Sequence, residues 1–387
     1  NTSEVDQVDL VTRLINDPKV DHEYSQEEEF VEPGVRILRF KFGPNKYLRK
    51  ELLWPYLDEL TQNLIQHYQK KENKPNFIHG HYADAGYVGI RLSKALKVPF
   101  IFTGHSLGRE KKRKLLESGL NLNQIEKLYR ISKRINAEEE ALKYTDIVVT
   151  STKQESACQY SQYNSFIPEK SRVIAPGVDH TKFHHIHSTT ETSEIDNMML
   201  PFLKDLTKPP FLAISRAVRR KNIPSLIEAY GRSEKLKRKT NLILILGCRD
   251  STSKLDPQQK DVFNNIFETI DKYNLYGKVA YPKKHLPSQI PALYRWAASR
   301  GGVFVNPALT EPFGLTLLEA SSCGLPIIST NDGGPKEIRS KCENGLLVDV
   351  TDINELKVML EKGISNNNQW KIWSRNGIEG VNRHFSW

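Results

Sequence analysis

The sequence predicts an α/β protein with two doubly wound parallel-sheet domains that face each other across a cleft. Three observations carry that expectation. Short apolar runs near residues 77–81, 100–103, 146–150, 210–215, 241–247, 278–281, 303–306 and 325–330 alternate with segments of helical composition. This is the pattern of parallel strands covered by helices on both faces. The alternation lapses once, over residues 180–210, where Ser, Thr, His and Pro accumulate. Finally, 387 residues suffice for two domains of ordinary size. The expected division is a first domain over 1–185, a linker over 186–209 and a second domain over 210–387.

In chain order, residues 5–15 read as a strand running into a turn. Residues 34–40 alternate apolar and charged side chains with the period of a half-buried strand. Trp54, Leu57, Leu60, Leu64 and Ile65 fall at helical spacing across 52–68. A strand end over 77–81 is followed by a helix over 86–97 and a strand over 100–103. Residues 124–144 read as one long helix bearing Glu138, Glu139 and Glu140, followed by a strand over 146–150 and a helix from Gln154. The second domain is expected to hold five buried strands. No internal repeat or low-complexity tract interrupts the chain.

Composition narrows the function classes. Apolar content is 38% and charged content 26%, as in a soluble globular protein. No apolar run is long enough to span a membrane, and no secretory signal is expected. Cys158, Cys248, Cys323 and Cys342 are far apart with no Cys-x-x-Cys pair, which argues against zinc and disulfides and for a cytoplasmic protein. The net charge of +10 suits either nucleic acid or small phosphorylated substrates. The basic run Lys111-Lys112-Arg113-Lys114 lacks the interleaved aromatics of a nucleic-acid surface.

One stretch organises the rest: Asn306-Pro307-Ala308-Leu309-Thr310-Glu311-Pro312-Phe313-Gly314-Leu315-Thr316-Leu317-Leu318-Glu319. It reads as strand, loop and helix, which places the loop at the carboxyl edge of a parallel sheet, where ligands bind. Gly314 permits close backbone approach, and the N–H groups of Gly314, Leu315 and Thr316 would face an anion. Glu311 before the helix and Glu319 about a turn into it supply two acceptors around that anion site. Hydroxyl, phosphate, hydroxyl in sequence describes a nucleotide sugar. The alternative is a solvated loop with two surface glutamates.

A second loop, Ser215-Arg216-Ala217-Val218-Arg219-Arg220-Lys221-Asn222, follows the first strand of the second domain and offers four cations to a diphosphate. In Thr103-Gly104-His105-Ser106-Leu107-Gly108-Arg109 the His-Ser pair invites a hydrolase assignment, but no Gly-x-Ser-x-Gly elbow is present. A neutral His105 at a strand end can bond a sugar hydroxyl instead. His79-Gly80-His81 with Asp84 resembles a metal triplet. The two histidines are expected on opposite strand faces, so no metal site is expected. His180, His184, His185 and His187 lie in the linker without an assigned role. Asn331-Asp332-Gly333-Gly334-Pro335 makes a turn, either beneath a nucleotide or with no ligand role.

With these motifs together, the chain resembles the sucrose-phosphate synthases, retaining glycosyltransferases of family 4 with the GT-B fold of two facing Rossmann-like domains. The resemblance extends over nearly the whole chain. It rests on His79-Gly80-His81-Tyr82-Ala83-Asp84-Ala85-Gly86, on residues 103–109 and on 306–319. Asp271-Lys272-Tyr273-Asn274-Leu275-Tyr276-Gly277 and His384-Phe385-Ser386-Trp387 also match. The 311–319 motif marks the larger glycosyltransferase group, and the 103–109 motif is much more specific.

The resemblance implies an acceptor-binding first domain and a nucleotide-sugar-binding second domain. It implies glucose transfer from UDP-glucose to fructose 6-phosphate, giving sucrose 6-phosphate with the anomeric configuration retained. By the same resemblance Glu311 touches the hexose, Glu319 the ribose, Arg216 and Lys221 the diphosphate, and His105 the donor hexose. Phe313, Gly314, Leu315 and Thr316 complete the donor set. Lys111 and Arg134 match positions that grip the acceptor phosphate, and Lys50 and Lys46 fall in another acceptor-side segment. No metal or cofactor is required on this scheme, magnesium at most stimulating, and a sucrose-phosphate phosphatase is a natural partner. Neither nucleic acid nor membrane is expected to bind. A GDP-mannose-dependent transferase and a non-catalytic nucleotide-sugar-binding regulator remain as alternatives. The chain departs from the family pattern in three places. Ala217-Val218-Arg219 stands where Pro-Asp-Pro is usual, and the family's first strand with its Gly-rich loop is expected to precede residue 1. The family's C-terminal crossing helix is expected to follow residue 387.

Overall fold

The computed structural model describes residues 4–70, 74–185 and 192–386. The chain divides into two compact units, Asn1–Ile174 and Ala175–Trp387. His187 and Trp387, singled out from the sequence, lie outside the described residues.

The first unit holds two sheets. Strands β1 (Val8–Arg13), β2 (Glu28–Glu32) and β3 (Val35–Phe40) form a sheet of order β1-β3-β2, with β3 parallel to β1 and antiparallel to β2. Strands β4 (Ile78–His81), β5 (Phe100–Thr103), β6 (Ile147–Thr150) and β7 (Ser171–Val173) form a parallel sheet in sequence order. The helix Tyr82–Leu96 is apolar on more than one side. Val88, Leu92 and Leu96 pack with Phe42, Leu57, Leu60 and Leu64, while Ile90 packs with Phe100, Phe102, Leu142 and Val148. One helix thereby serves two cores, which fixes the end of β4 from which it springs.

The second unit is a six-stranded parallel sheet of β8 (Pro210–Ile214), β9 (Asn241–Ile245), β10 (Val279–Ala280), β11 (Val303–Asn306), β12 (Ile327–Thr330) and β13 (Gly345–Val348). Its order is β10-β9-β8-β11-β12-β13. β9 and β11 are buried along their whole length, as expected of strands covered on both faces. The chain winds outward from β8 to β10, returns to β11 beside β8, and winds outward the other way. The sheet therefore has its switch point between β8 and β11, and the loops leaving both strands open at one carboxyl edge.

Several sequence expectations need correction. The helix expected over 124–144 is two helices, Leu122–Tyr129 and Ile131–Tyr144, broken at Arg130 with φ +49°. The Glu126 carboxylate accepts from Ser132 N and Oγ at 3.0 and 2.8 Å, so it caps the second helix from the first. The expected linker contains the helix Thr192–Met199. Ile195 and Met199 enter the core of the second unit, and Asp196 accepts from Trp296 and Arg300, both at 2.7 Å. The second unit has a sixth strand, β13, beyond the five expected. β2 was also missed, because its Glu-Glu-Phe-Val-Glu sequence carries no apolar period. His79 and His81 do not face opposite ways. Positions two apart on a strand share a face, and their ring centroids lie 4.0 Å apart.

Glu138 ties the first unit together around Arg134. The carboxylate is fully buried, pairs with Arg134 at 2.9 Å, and accepts from Gly108 N at 2.8 Å and from the Tyr163 hydroxyl. Burial pushes its pKa up against the pull of Arg134 and these donors. Glu138→Ala should cost about 3–5 kcal/mol, because it strands a buried guanidinium. Urea unfolding measures this, and a loss below about 1 kcal/mol would mean that water satisfies Arg134.

Candidate active site

In the second unit the site grows from the loops after β8, β11 and β12, three adjacent strands. Lys221 ends the first loop and Glu311 lies in the second. Lys221 Nζ donates to Glu311 Oε2 at 2.5 Å, with both side chains largely buried. Asn306, the last residue of β11, donates to the same oxygen at 3.1 Å and accepts from Ala308 N at 3.2 Å. The backbones are joined as well, since Leu309 N donates to the Arg220 carbonyl at 2.9 Å. Glu311 Oε1 has no partner among the described residues and is open to a ligand hydroxyl.

The third loop fits beneath the second. Gly333 (φ +87°) bridges Glu311, and Gly334 N donates to the Glu311 carbonyl at 3.0 Å. A Cβ on Gly333 would meet the Glu311 carbonyl oxygen at 2.1 Å, and one on Gly334 would meet the Phe313 carbonyl oxygen at 2.2 Å. Both glycines are therefore required by loop packing, whichever ligand role the turn has.

Gly314 adopts φ +98° and starts the helix Leu315–Ser322. The first N–H groups of such a helix lack intrahelical acceptors and face an anion favourably. Glu319 projects one turn on, where the fully buried Tyr294 donates to its Oε2 at 3.0 Å. Burial raises the pKa of Glu319, with the Tyr294 bond opposing the rise. The two glutamates share a design: one oxygen is held by the protein and the other has no partner among the described residues. Arg216 is exposed and makes no ion pair with a described residue, whereas Arg219 pairs with Asp261 at 2.7 Å. The Phe313 ring packs edge-on against Phe385 at 6.2 Å and belongs to the core, so only its backbone can face a ligand.

In the first unit, Lys50 and Arg134 converge on the beginning of the helix Tyr82–Leu96, and their charges act on Lys111. The charges of Lys50 and Arg134 each lie 4.3 Å from the Tyr82 ring centroid, and Lys50 donates to the Tyr82 hydroxyl at 2.8 Å. Lys111 lies 3.9 Å from the Tyr129 ring. Its amine is pulled down to about 8, first by burial and then by the charges of Arg134, Lys50 and Arg49, with Glu51 opposing. Asp84 is pushed up by burial beside the same cations. Lys46 is not among them: its carbonyl accepts from Arg13 at 2.8 Å and its charge acts on Asp17.

His105 follows β5 with φ +56°, and its Nε2 lies 2.8 Å from His81 Nδ1. His79 bonds Thr103 Oγ1 at 2.8 Å. Burial lowers the pKa of all three rings, His79 to about 4. For His105 burial thus favours the neutral imidazole. Among the described residues, no group of three or more His, Cys, Asp or Glu is arranged to hold a metal ion.

Residues 4–195 match the family model for the sucrose synthase first GT-B domain, and residues 195–380 that for glycosyl transferases group 1. A probable sucrose-phosphate synthase of Vicia faba is 38% identical over 98% of this chain, and sucrose-phosphate synthase 4 of Arabidopsis thaliana is 37% identical over 100% of it. The chain spans 42% and 43% of those two proteins, less than half the length of the curated relatives. The solved sucrose-phosphate synthase of Thermosynechococcus elongatus superposes with a TM-score of 0.77 at 25% identity, covering 98% of this chain and 85% of that one. Anabaena HepE in complex with UDP-glucose gives 0.67 at 18% identity, covering 90% and 82%. The fold is thus that of the GT-B glycosyltransferases. Within them, the chain belongs to the sucrose-phosphate synthase family.

Sequence motifs singled out the glutamates, the cations and His105 but not the contacts that hold them, made by Asn306, Tyr294, Tyr82 and His81. The available signal for Asn306 was a polar residue ending an otherwise apolar strand. Gly333→Ala should lower stability by at least about 2 kcal/mol and disturb the Glu311 loop. Urea unfolding checks this, and an unchanged midpoint would show that the two loops do not pack as described.

Proposed function

We propose that the chain transfers glucose from UDP-glucose to the 2-hydroxyl of fructose 6-phosphate, forming sucrose 6-phosphate and UDP with retention at the anomeric carbon. The observation that carries this is the meeting of Lys221, Asn306, Glu311 and the Gly314 helix start at the switch point of a parallel sheet. The names of the relatives, and the UDP-glucose in the HepE complex, support the choice of substrates.

In this scheme Glu319 takes the ribose hydroxyls and Glu311 a hexose hydroxyl, each through its open oxygen. Arg216, Lys221 and the N–H groups at Gly314, Leu315 and Thr316 hold the diphosphate. Negative charge builds on the departing phosphate oxygen, and positioned cations and dipoles stabilise it there without reorganising. The C1–O bond to UDP breaks with its electron pair leaving on UDP, and the acceptor oxygen bonds to C1. The acceptor proton passes to the departing phosphate. His105 offers a neutral ring to a hexose hydroxyl, while Lys50, Lys111 and Arg134 take the acceptor phosphate. The cations carry the charge that a metal would otherwise carry, so an absolute requirement for magnesium would contradict the scheme.

No helix among the described residues is long and apolar enough to cross a membrane. All four cysteines are free. We place the reaction in the cytoplasm, with a phosphatase consuming the phosphorylated product. Incubation with UDP-glucose and fructose 6-phosphate, with mass spectrometry of the product, tests the proposal. Transfer from GDP-mannose instead would overturn the donor assignment.

Lys221→Ala should slow turnover by on the order of a hundredfold while weakening nucleotide binding less. Turnover within a few-fold of the parent would remove Lys221 from the mechanism. Lys111→Met and Arg134→Ala should raise the acceptor KM, and unphosphorylated fructose should be a poor acceptor for the parent.

The pH dependence has a definite sign. Lys111 is charged below about 8 and loses its proton above it in the empty site. Acceptor KM should therefore rise as pH passes 8, and Lys111→Met should abolish that rise. A profile identical in parent and variant would assign the limb to another group.

A further inference from the structure

Among the groups that the proposed mechanism leaves unused, Tyr82 combines the most unexplained features. It is the first residue of the helix Tyr82–Leu96, yet it adopts φ +79°, a conformation that bulky side chains rarely take. Glycine would adopt it freely. Tyr82 is also half-buried among charges that repel one another. Lys50 and Arg134 both approach its ring at 4.3 Å, and Lys50 donates to its hydroxyl at 2.8 Å.

We propose that Tyr82 is a positioning residue that gathers Lys50 and Arg134 at one spot so that they clamp the phosphate of a phosphorylated sugar acceptor. This rests on the assignment of the cation cluster to the acceptor. An aromatic face attracts cations through its quadrupole and leaves their charge uncompensated. A carboxylate in the same place would neutralise them and compete with the phosphate. Of the carboxylates nearby, one offsets part of the Arg134 charge from the side of Nε and the others are engaged elsewhere. Glu138 pairs with Arg134 through Nε, Glu51 lies 3.6 Å from Arg49, and Asp84 accepts from Ala85 N while burial disfavours its charge. Arg134 Nη2 donates to the Ser106 carbonyl, which leaves Nη1 without a partner among the described residues. Lys50 comes from a separate segment and is exposed, and among the described residues it is the Tyr82 ring and hydroxyl that its amine contacts beside Arg134. Burial is the main reason that the pKa of Lys111 is depressed, and the charges of Arg134 and Lys50 add to it. The strained backbone at Tyr82 aims the side chain out of the first helical turn toward them.

The test uses the full chain, with Tyr82→Gly, which suits the backbone and removes the ring, and Tyr82→Phe, which keeps the ring and removes the hydroxyl. Tyr82→Gly should raise the KM for fructose 6-phosphate by about tenfold or more, leave kcat within about threefold, and leave UDP affinity unchanged. Tyr82→Phe should recover most of that loss, with a KM about threefold above the parent. A fructose 6-phosphate KM within twofold of the parent in Tyr82→Gly would overturn the proposal. So would a Tyr82→Phe variant as impaired as Tyr82→Gly, because the ring would then have no role. Lys111→Met separates the two levels. If it raises the KM while Tyr82→Gly does not, the positioning role alone fails. If neither raises it, the acceptor assignment fails as well.

Discussion

The candidate donor site depends on one ion pair, Lys221 with Glu311. These residues are far apart in sequence and meet because β8 and β11 are neighbours at the point where the sheet reverses its winding. Two largely buried charges lose hydration, and their attraction offsets that loss only when the geometry is good and further hydrogen bonds complete it. Asn306 supplies one such bond, and the backbone bond from Leu309 to Arg220 holds the loops in register. The glycines at 333 and 334 let the third loop close underneath. A packed hydrophobic pair would stabilise the fold as well, so the retained charges point to chemistry.

The first unit poses the opposite problem. Lys50, Lys111 and Arg134 crowd together with too few free carboxylates to balance them, and Lys111, first through burial and then through these charges, gives up its proton more easily. On the proposed function, the acceptor phosphate supplies the missing negative charge. Aromatic faces at Tyr82 and Tyr129 make the empty state tolerable without filling the place of that anion. The net charge of +10 thus has local meaning here as well as in the loop after β8.

Much of this was legible in the sequence because it depends on local pattern. Buried parallel strands such as β9 and β11 announce themselves as apolar runs, and Gly314 before an apolar helix marks the turn that starts it. What escaped depends on contacts between distant residues. The break at Arg130 needs Glu126 to cap across it, and the helix Thr192–Met199 needs Trp296 and Arg300 to anchor Asp196. The resemblance places Lys46 and Lys50 in one acceptor-side segment, but the chain carries the two charges to different neighbours. The two histidines of β4 were misjudged by applying strand geometry wrongly; their spacing alone places both on one face.

The central claim is that the loops after β8, β11 and β12 form one nucleotide site. Amide hydrogen exchange of this chain with and without UDP tests it most directly. The account predicts slowed exchange over residues 215–222, 306–316 and 331–334, with the segments around Lys50 and Lys111 unchanged. No protection at these three loops at saturating UDP, or protection confined to the first unit, would contradict it.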